Sequence, residues 1–141
     1  MSDSEDREEF LKQPNVAVLA TVGPGGRAHA APIWYLYEDG VFIMATGRAS
    51  QKHRNVERHP EVTLVVDRRA IPYYAVMARG RAEIGPRLSE EERLRMAVRY
   101  LGEEVGRAFI ARAGGEDSVS IRLRPRKLIE YHGRAGRRPG G

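Results

Sequence analysis

The chain has no cysteine, which excludes disulfides, thiolate-bound metals, iron–sulfur clusters and a thiol nucleophile. It also lacks any apolar run approaching the ~20 residues of a membrane-spanning helix. The stretch Met1 to Phe10 is acidic where a signal peptide is basic and then apolar, so a cytoplasmic protein with no membrane partner is expected. Aromatic residues make up only 7 %, with a single tryptophan, Trp34. Lysine is scarce too: of 24 cations only Lys12, Lys52 and Lys127 are lysine, and the rest are arginine.

What is present is 141 residues, about the size of one domain, carrying a net charge of +5. A single domain over residues 1–133 is expected, followed by a short Arg/Gly/Pro tail at 134–141 whose composition does not favour order. Guanidinium groups fork onto phosphate and carboxylate, so the arginine excess points to an anionic partner. The arginines are scattered from Arg7 to Arg138, usually beside acids, as in Glu90-Glu91-Glu92-Arg93. A nucleic-acid footprint gathers on one face, so no nucleic-acid partner is expected.

Ser2 and Glu5 have capping-box spacing, predicting a helix to about Gln13 that Pro14 stops. Three antiparallel strands follow, over Val16 to Val22, His29 to Tyr37 and Val41 to Thr46, joined by hairpins at Gly23-Pro24-Gly25-Gly26 and Glu38-Asp39-Gly40. Ser50 can cap a helix over Gln51 to Arg58 that ends before Pro60. Val62 to Val66 and Tyr73 to Ile84 read as strands, with Gly80 marking a bulge or a close backbone approach. Ser89 and Glu92 form a second capping box, and Leu94, Val98 and Leu101 share one helix face. Another helix runs from about Glu103 to Arg112, stopped by Gly114-Gly115, before strands at Ser118 to Leu123 and Leu128 to His132. The pattern is mainly β with a few helices, and an antiparallel barrel or strongly curled sheet is expected.

Glycines 23, 25 and 26 do not make a phosphate loop, because no helix opens after them and Pro24 lacks a donor. His29, His53, His59 and His132 have no metal-ligand spacing and read as surface residues, so no metal site is expected. No serine sits in a nucleophile elbow, and no catalytic residue is assigned. One segment is different: Thr46-Gly47-Arg48-Ala49-Ser50-Gln51-Lys52-His53-Arg54-Asn55 joins a strand end to a helix start, where free N–H groups and the helix dipole converge. Hydroxyls at Thr46 and Ser50, charge at Arg48 and Lys52, and the close approach that Gly47 allows suit a phosphate monoester, and Gln51 and Asn55 of the same segment are counted among the expected binding residues. Equally, Ser50 can serve only as a cap above a solvated basic face. Pro32-Ile33-Trp34-Tyr35-Leu36-Tyr37 is the second feature. On one strand it puts Pro32, Trp34 and Leu36 on one face and Ile33, Tyr35 and Tyr37 on the other, which means core packing on both sides or one face offered to a flat ligand.

At these residues the sequence resembles the pyridoxamine 5′-phosphate oxidase-like superfamily of flavin and deazaflavin split barrels, and within it the small single-domain deazaflavin-dependent enzymes. The likeness spans about Phe10 to His132. It rests on the ordered string Val18-Leu19-Ala20-Thr21, Gly25-Gly26-Arg27, Pro32-Ile33-Trp34, Ile43-Met44-Ala45-Thr46, Lys52-His53-Arg54-Asn55, His59-Pro60, Tyr73-Tyr74 and Gly80-Arg81-Ala82-Glu83. The resemblance implies an antiparallel split β-barrel that forms a homodimer with cofactor sites between subunits. It implies that Met44, Ala45, Thr46 and Ser50 line the ring and phosphate of the cofactor, that Lys52 engages phosphate, that Asn55 belongs to the same motif, and that Pro32 and Trp34 lie by the ring and the substrate. The strand around Tyr131 is implied to contribute across the dimer. The vitamin-oxidase members carry a longer C-terminal segment with a substrate-binding arginine and histidine, and His132-Gly133-Arg134 only echoes it, so oxidation of pyridoxamine 5′-phosphate is not expected. The expected cofactor is the deazaflavin coenzyme F-420, with FMN as the alternative. The expected reaction is hydride transfer to a small unsaturated organic acceptor, with a non-catalytic flavin- or deazaflavin-binding protein as the alternative. The acidic oligoglutamate tail of F-420 would find Arg48, Arg54 and Arg58 flanking the cradle.

Overall fold

Eight strands carry the alternation of apolar and polar residues: β1 (Ala17–Val22), β2 (Ala28–Ile33), β3 (Leu36–Glu38), β4 (Val41–Gly47), β5 (Glu61–Arg68), β6 (Tyr74–Gly85), β7 (Ser118–Leu123) and β8 (Lys127–His132). Four helices accompany them: α1 (Asp3–Leu11), α2 (Gln51–Arg58), α3 (Glu90–Leu101) and α4 (Glu103–Arg112). The computed structural model describes residues 3–112 and 117–133. The Ser2–Glu5 capping box, the Gly114-Gly115 stop and the 134–141 tail lie outside the described residues.

All pairings are antiparallel, in the order β2-β1-β5-β6-β7-β4-β3, with β8 added to β6. The long β6 curls this sheet. Its first half, Tyr74 to Arg79, pairs with β8, while Ala82 to Gly85 pairs with β7. At the junction the turn between β7 and β8 lies on Gly80, where a Cβ would meet the Arg124 carbonyl oxygen at 3.1 Å and the Arg126 nitrogen at 3.2 Å. The close approach expected at Gly80 is therefore what bends the sheet into a half-barrel. Inside it pack Leu19, Phe42, Met44, Leu64, Val76 and Ile121, all fully buried.

One expectation is corrected. His29 to Tyr37 is not a single strand in a hairpin series, because the chain leaves β2 at Ile33 and enters β3 at Leu36. These two strands lie at opposite ends of the sheet order, so Trp34 and Tyr35 alone carry the chain across the split. The reason is a competing partner: the Tyr35 N–H donates to the Tyr100 hydroxyl at 3.1 Å, not to a neighbouring strand. The alternation of faces survives the break. Ile33, Tyr35 and Tyr37 enter the barrel core, whereas Trp34 and Leu36 join Ile43, Leu88 and Met96 in an outer cluster beneath α3.

Helix α3 starts with the expected capping box, in which Ser89 Oγ accepts from the Glu92 N–H and the Glu92 carboxylate accepts from the Ser89 N–H. Its deepest residues are Met96 and Ala97; Leu94, Val98 and Leu101 are only half-buried. The stripe is displaced because α3 also packs against α4, whose Gly106 touches the Val98 backbone so closely that a Cβ would sit 2.8 Å from it. Arg99, also on α3, donates to the carbonyl oxygens of Lys12 and Gln13 at 2.6 Å each and of Leu11 at 3.3 Å. Its guanidinium lies 4.8 Å from the Tyr35 ring centroid and 5.5 Å from that of Tyr100. The end of α1 is thus capped by a cation from another helix, which complements its dipole.

Arg99→Met keeps the apolar stem and removes the donors, leaving the Lys12 and Gln13 carbonyls to water and that of buried Leu11 with one partner fewer, and is expected to destabilise the fold by about 1–3 kcal/mol in urea unfolding. The Glu92 carboxyl is held below the ordinary carboxylate range, chiefly by the Ser89 N–H and secondarily by Arg122 against the opposing cost of burial. A lowered folded-state pKa stabilises above the unfolded-state value and is lost as pH falls through the folded-state value. The urea midpoint of the wild type should therefore fall more steeply below about pH 4 than that of Glu92→Gln, converging at acid pH.

Candidate functional site

The end of β4 and the start of α2 meet the residues of the Trp34–Tyr35 crossing. Ser50 has extended backbone and caps α2, its Oγ accepting from the His53 N–H at 3.1 Å and from the Thr46 hydroxyl at 2.9 Å. A hydroxyl oxygen that accepts twice still has its own proton to donate. The Gln51 and Lys52 N–H groups precede the first intrahelical bond of α2 and have no partner among the described residues. The Lys52 ammonium, on a half-buried side chain, is likewise free of ion pairs and hydrogen bonds among the described residues. These donors and one cation stand at the positive end of a helix dipole, an arrangement that suits an anion.

Lys52 opens on a cavity of about 340 Å³ that Pro32, Ile33 and Trp34 line from β2 and the crossing, and Ala45 and Thr46 from β4. A second cavity of about 470 Å³ shares Trp34, Ala45, Thr46 and Met96 with the first and extends beneath α3 and α4. The two are chambers of one cleft at the split in the barrel. Trp34, half-buried between them, stacks on Tyr100 with ring centroids 4.7 Å apart and planes 9° from parallel.

Five of the ten expected cofactor-binding residues line this cleft, Pro32, Trp34, Ala45, Thr46 and Lys52, and Ser50 adjoins it through the Thr46 hydroxyl. The others lie around it. Met44 is fully buried in the barrel core on the reverse side of β4. Asn55 is 2 % exposed and donates to Thr21 Oγ1 at 3.0 Å while accepting from Gln51 Nε2 at 2.6 Å, so both side chains tie α2 to β1. Arg48 pairs with Asp117 at 2.8 Å. Arg54 folds back onto the Ala49 carbonyl oxygen and the Gln51 side chain, on the exposed side of α2.

His53 corrects the expectation of a surface histidine: it is 5 % exposed, with Nδ1 2.7 Å from the Arg48 carbonyl oxygen, and it fastens the loop to the helix. Sequence reading also missed α3 and α4 as walls of the cleft. The available signal was Met96 and Tyr100, one helical turn apart and able to reach the same partner. Tyr35 is not free to exchange a proton at the cleft, since its hydroxyl donates to the Leu11 carbonyl oxygen at 2.8 Å and burial raises its pKa above the ordinary phenol value. No group of metal-ligating side chains occurs among the described residues, and no described helix is long and apolar enough to cross a membrane.

Residues 4–133 match the pyridoxamine 5′-phosphate oxidase family, nearly the whole chain. The chain belongs to that family. Among solved structures, a conserved hypothetical protein from Mycobacterium tuberculosis aligns with 100 % of this oxidase-family chain and 93 % of its own, at 25 % identity and a TM-score of 0.75. An F-420 reductase aligns with 86 % of this chain and 94 % of its own, at 27 % identity and a TM-score of 0.71. The heme storage protein HutZ from Vibrio cholerae shares the fold at 18 % identity, covering 94 % of this chain and 95 % of its own with a TM-score of 0.68. No curated protein matches the chain. The curled antiparallel sheet is thus the split barrel of the pyridoxamine 5′-phosphate oxidase family, whose neighbours include proteins of more than one cofactor.

Two kinds of residue meet at this candidate site, those engaged in internal hydrogen bonds and those left open to a ligand, and unfolding measurements test the division. Asn55→Ala leaves the buried Thr21 hydroxyl without its donor and should cost about 1–3 kcal/mol in stability. Lys52→Ala removes no side-chain bond among the described residues and should change the unfolding free energy by less than about 0.5 kcal/mol.

Proposed function

We propose that this protein is an oxidoreductase that binds the deazaflavin coenzyme F-420 and transfers a hydride to a small unsaturated organic acceptor. The observation that carries the reading is Lys52, a half-buried cation with no partner among the described residues, set beside two unpaired backbone N–H groups at the start of α2 and opening on the cavity walled by Trp34. A phosphate at this point would receive the Lys52 ammonium, the Gln51 and Lys52 N–H groups and the Ser50 hydroxyl. Pro32, Trp34, Ala45 and Thr46 are the residues to receive a flat ring. Met44 supports β4 from the core, and Asn55, Gln51 and Arg48 hold the loop and helix in place. The F-420 reductase that matches at 27 % identity over most of both chains supports the choice of cofactor.

When bound, the reduced deazaflavin supplies a hydride, and the acceptor takes up a proton to complete its reduction. The chain's part is to orient, to exclude water and to place charge, which accounts for a site without a nucleophile and base pair. We propose further that residues 1–133 act as one domain in a cytoplasmic homodimer. The exposed Tyr73 and Tyr131 crowd Gly133 and offer an aromatic surface for the second copy.

Titration of the purified protein with F-420 and with FMN, followed by ligand fluorescence, tests the reading. F-420 should bind more tightly than FMN, and Lys52→Ala should weaken its binding about tenfold or more without moving the unfolding midpoint. Tight binding of FMN alone would make this an FMN oxidoreductase, and binding of neither would end the enzyme reading. Reoxidation of the bound cofactor by an added enone, absent from protein that merely stores it, tests turnover.

A further inference from the structure

The larger chamber carries charge that the cofactor reading does not use. Its walls are apolar, built from Trp34, Leu88, Met96, Phe109 and Ile110. Among the described residues its rim holds three arginines, Arg87, Arg93 and Arg112, and one acid, Asp117, which is paired with Arg48 at 2.8 Å. Arg93 is the informative one. Of the α3 arginines, Arg95 pairs with Glu38 and Glu91, and Arg99 caps the carbonyls at the end of α1. Arg93 lies in the first turn of the same helix, half-buried at the chamber, and its guanidinium has no partner among the described residues. A partly buried guanidinium without a partner is costly unless an anion completes it, and its planar fork matches a carboxylate.

We infer that this chamber is the acceptor site and that the acceptor is an unsaturated carboxylate with a flat apolar body, its carboxylate on Arg93 and its body between Trp34, Met96 and Phe109. The inference rests on the oxidoreductase reading for the word acceptor; the carboxylate site itself stands on the chamber. Its volume of about 470 Å³ suits a small aromatic acid. The Trp34, Ala45, Thr46 and Met96 walls common to both chambers would set such a molecule beside whatever ring occupies the Lys52 side. An oligoglutamate chain is the poorer occupant, since it would bring many charges to an apolar wall and three arginines.

Calorimetric titration of the full-length, cofactor-free protein with trans-cinnamate and with its neutral analogue cinnamamide provides the test. Cinnamate should bind about tenfold more tightly than cinnamamide. Arg93→Gln should abolish that preference while leaving cinnamamide affinity unchanged, and Arg79→Gln, exposed on β6 and lining neither chamber, should leave both unchanged. Equal affinities for acid and amide, no binding of either, or an unaltered preference in Arg93→Gln would each overturn the inference. The two readings fail separately. Cofactor binding without the acid preference sinks only the carboxylate site, whereas an Arg93-dependent preference without cofactor binding sinks only the oxidoreductase.

Discussion

The two residues that cross the split of the barrel, Trp34 and Tyr35, are the constraint on which the remainder of the molecule depends. Strands at opposite ends of the sheet order are covalently joined there by the shortest of links, so the sheet has to curl for both to pair. The crossing is held from α3. Tyr100 takes the Tyr35 N–H on its hydroxyl, gives its own proton to the Asn15 carbonyl oxygen at 2.9 Å, and stacks on Trp34. Arg99 lies over Tyr35 and binds the carbonyls at the end of α1. One turn of one helix therefore secures the N-terminal helix, the crossing and the wall of the cleft together.

The start of α2 combines open donors with hydrogen-bonded surroundings, the arrangement on which the proposed cofactor site rests. Asn55 and His53, both buried, bond to Thr21 and to the loop carbonyl of Arg48, which fastens the loop after β4 to α2 and β1. Among the described residues, that frame leaves over one ammonium, two backbone donors and one hydroxyl proton. Preorganised donors of this kind need no rearrangement to receive an anion.

Much of the fold was readable along the chain because its signals are local. The Ser50 cap, the Ser89–Glu92 capping box, the stop before Pro60 and the strands from β4 to β8 follow from spacing and turn chemistry within a few residues. The break at Trp34–Tyr35 was not readable, because a continuous apolar run looks the same whether its N–H groups face a strand or a tyrosine hydroxyl 65 residues away. Burial of His53 and the displacement of the α3 stripe toward Met96 and Ala97 were hidden for the same reason. In both cases the deciding neighbour comes from elsewhere in the chain.

The sequence by itself determined the class of fold and the absence of thiol chemistry, and it singled out the segment from Thr46 to Asn55 as the candidate place for an anion. These depend on side-chain chemistry and on spacing along one element. The tertiary structure alone decided which of those residues are left with a free donor, and that Trp34 divides one cleft into two chambers. It also showed that Arg93, one arginine among many in the sequence, is the one on α3 that faces a cavity without a partner among the described residues. A charge is available for binding only when nothing in the folded molecule already satisfies it, and that depends on residues far apart in the chain.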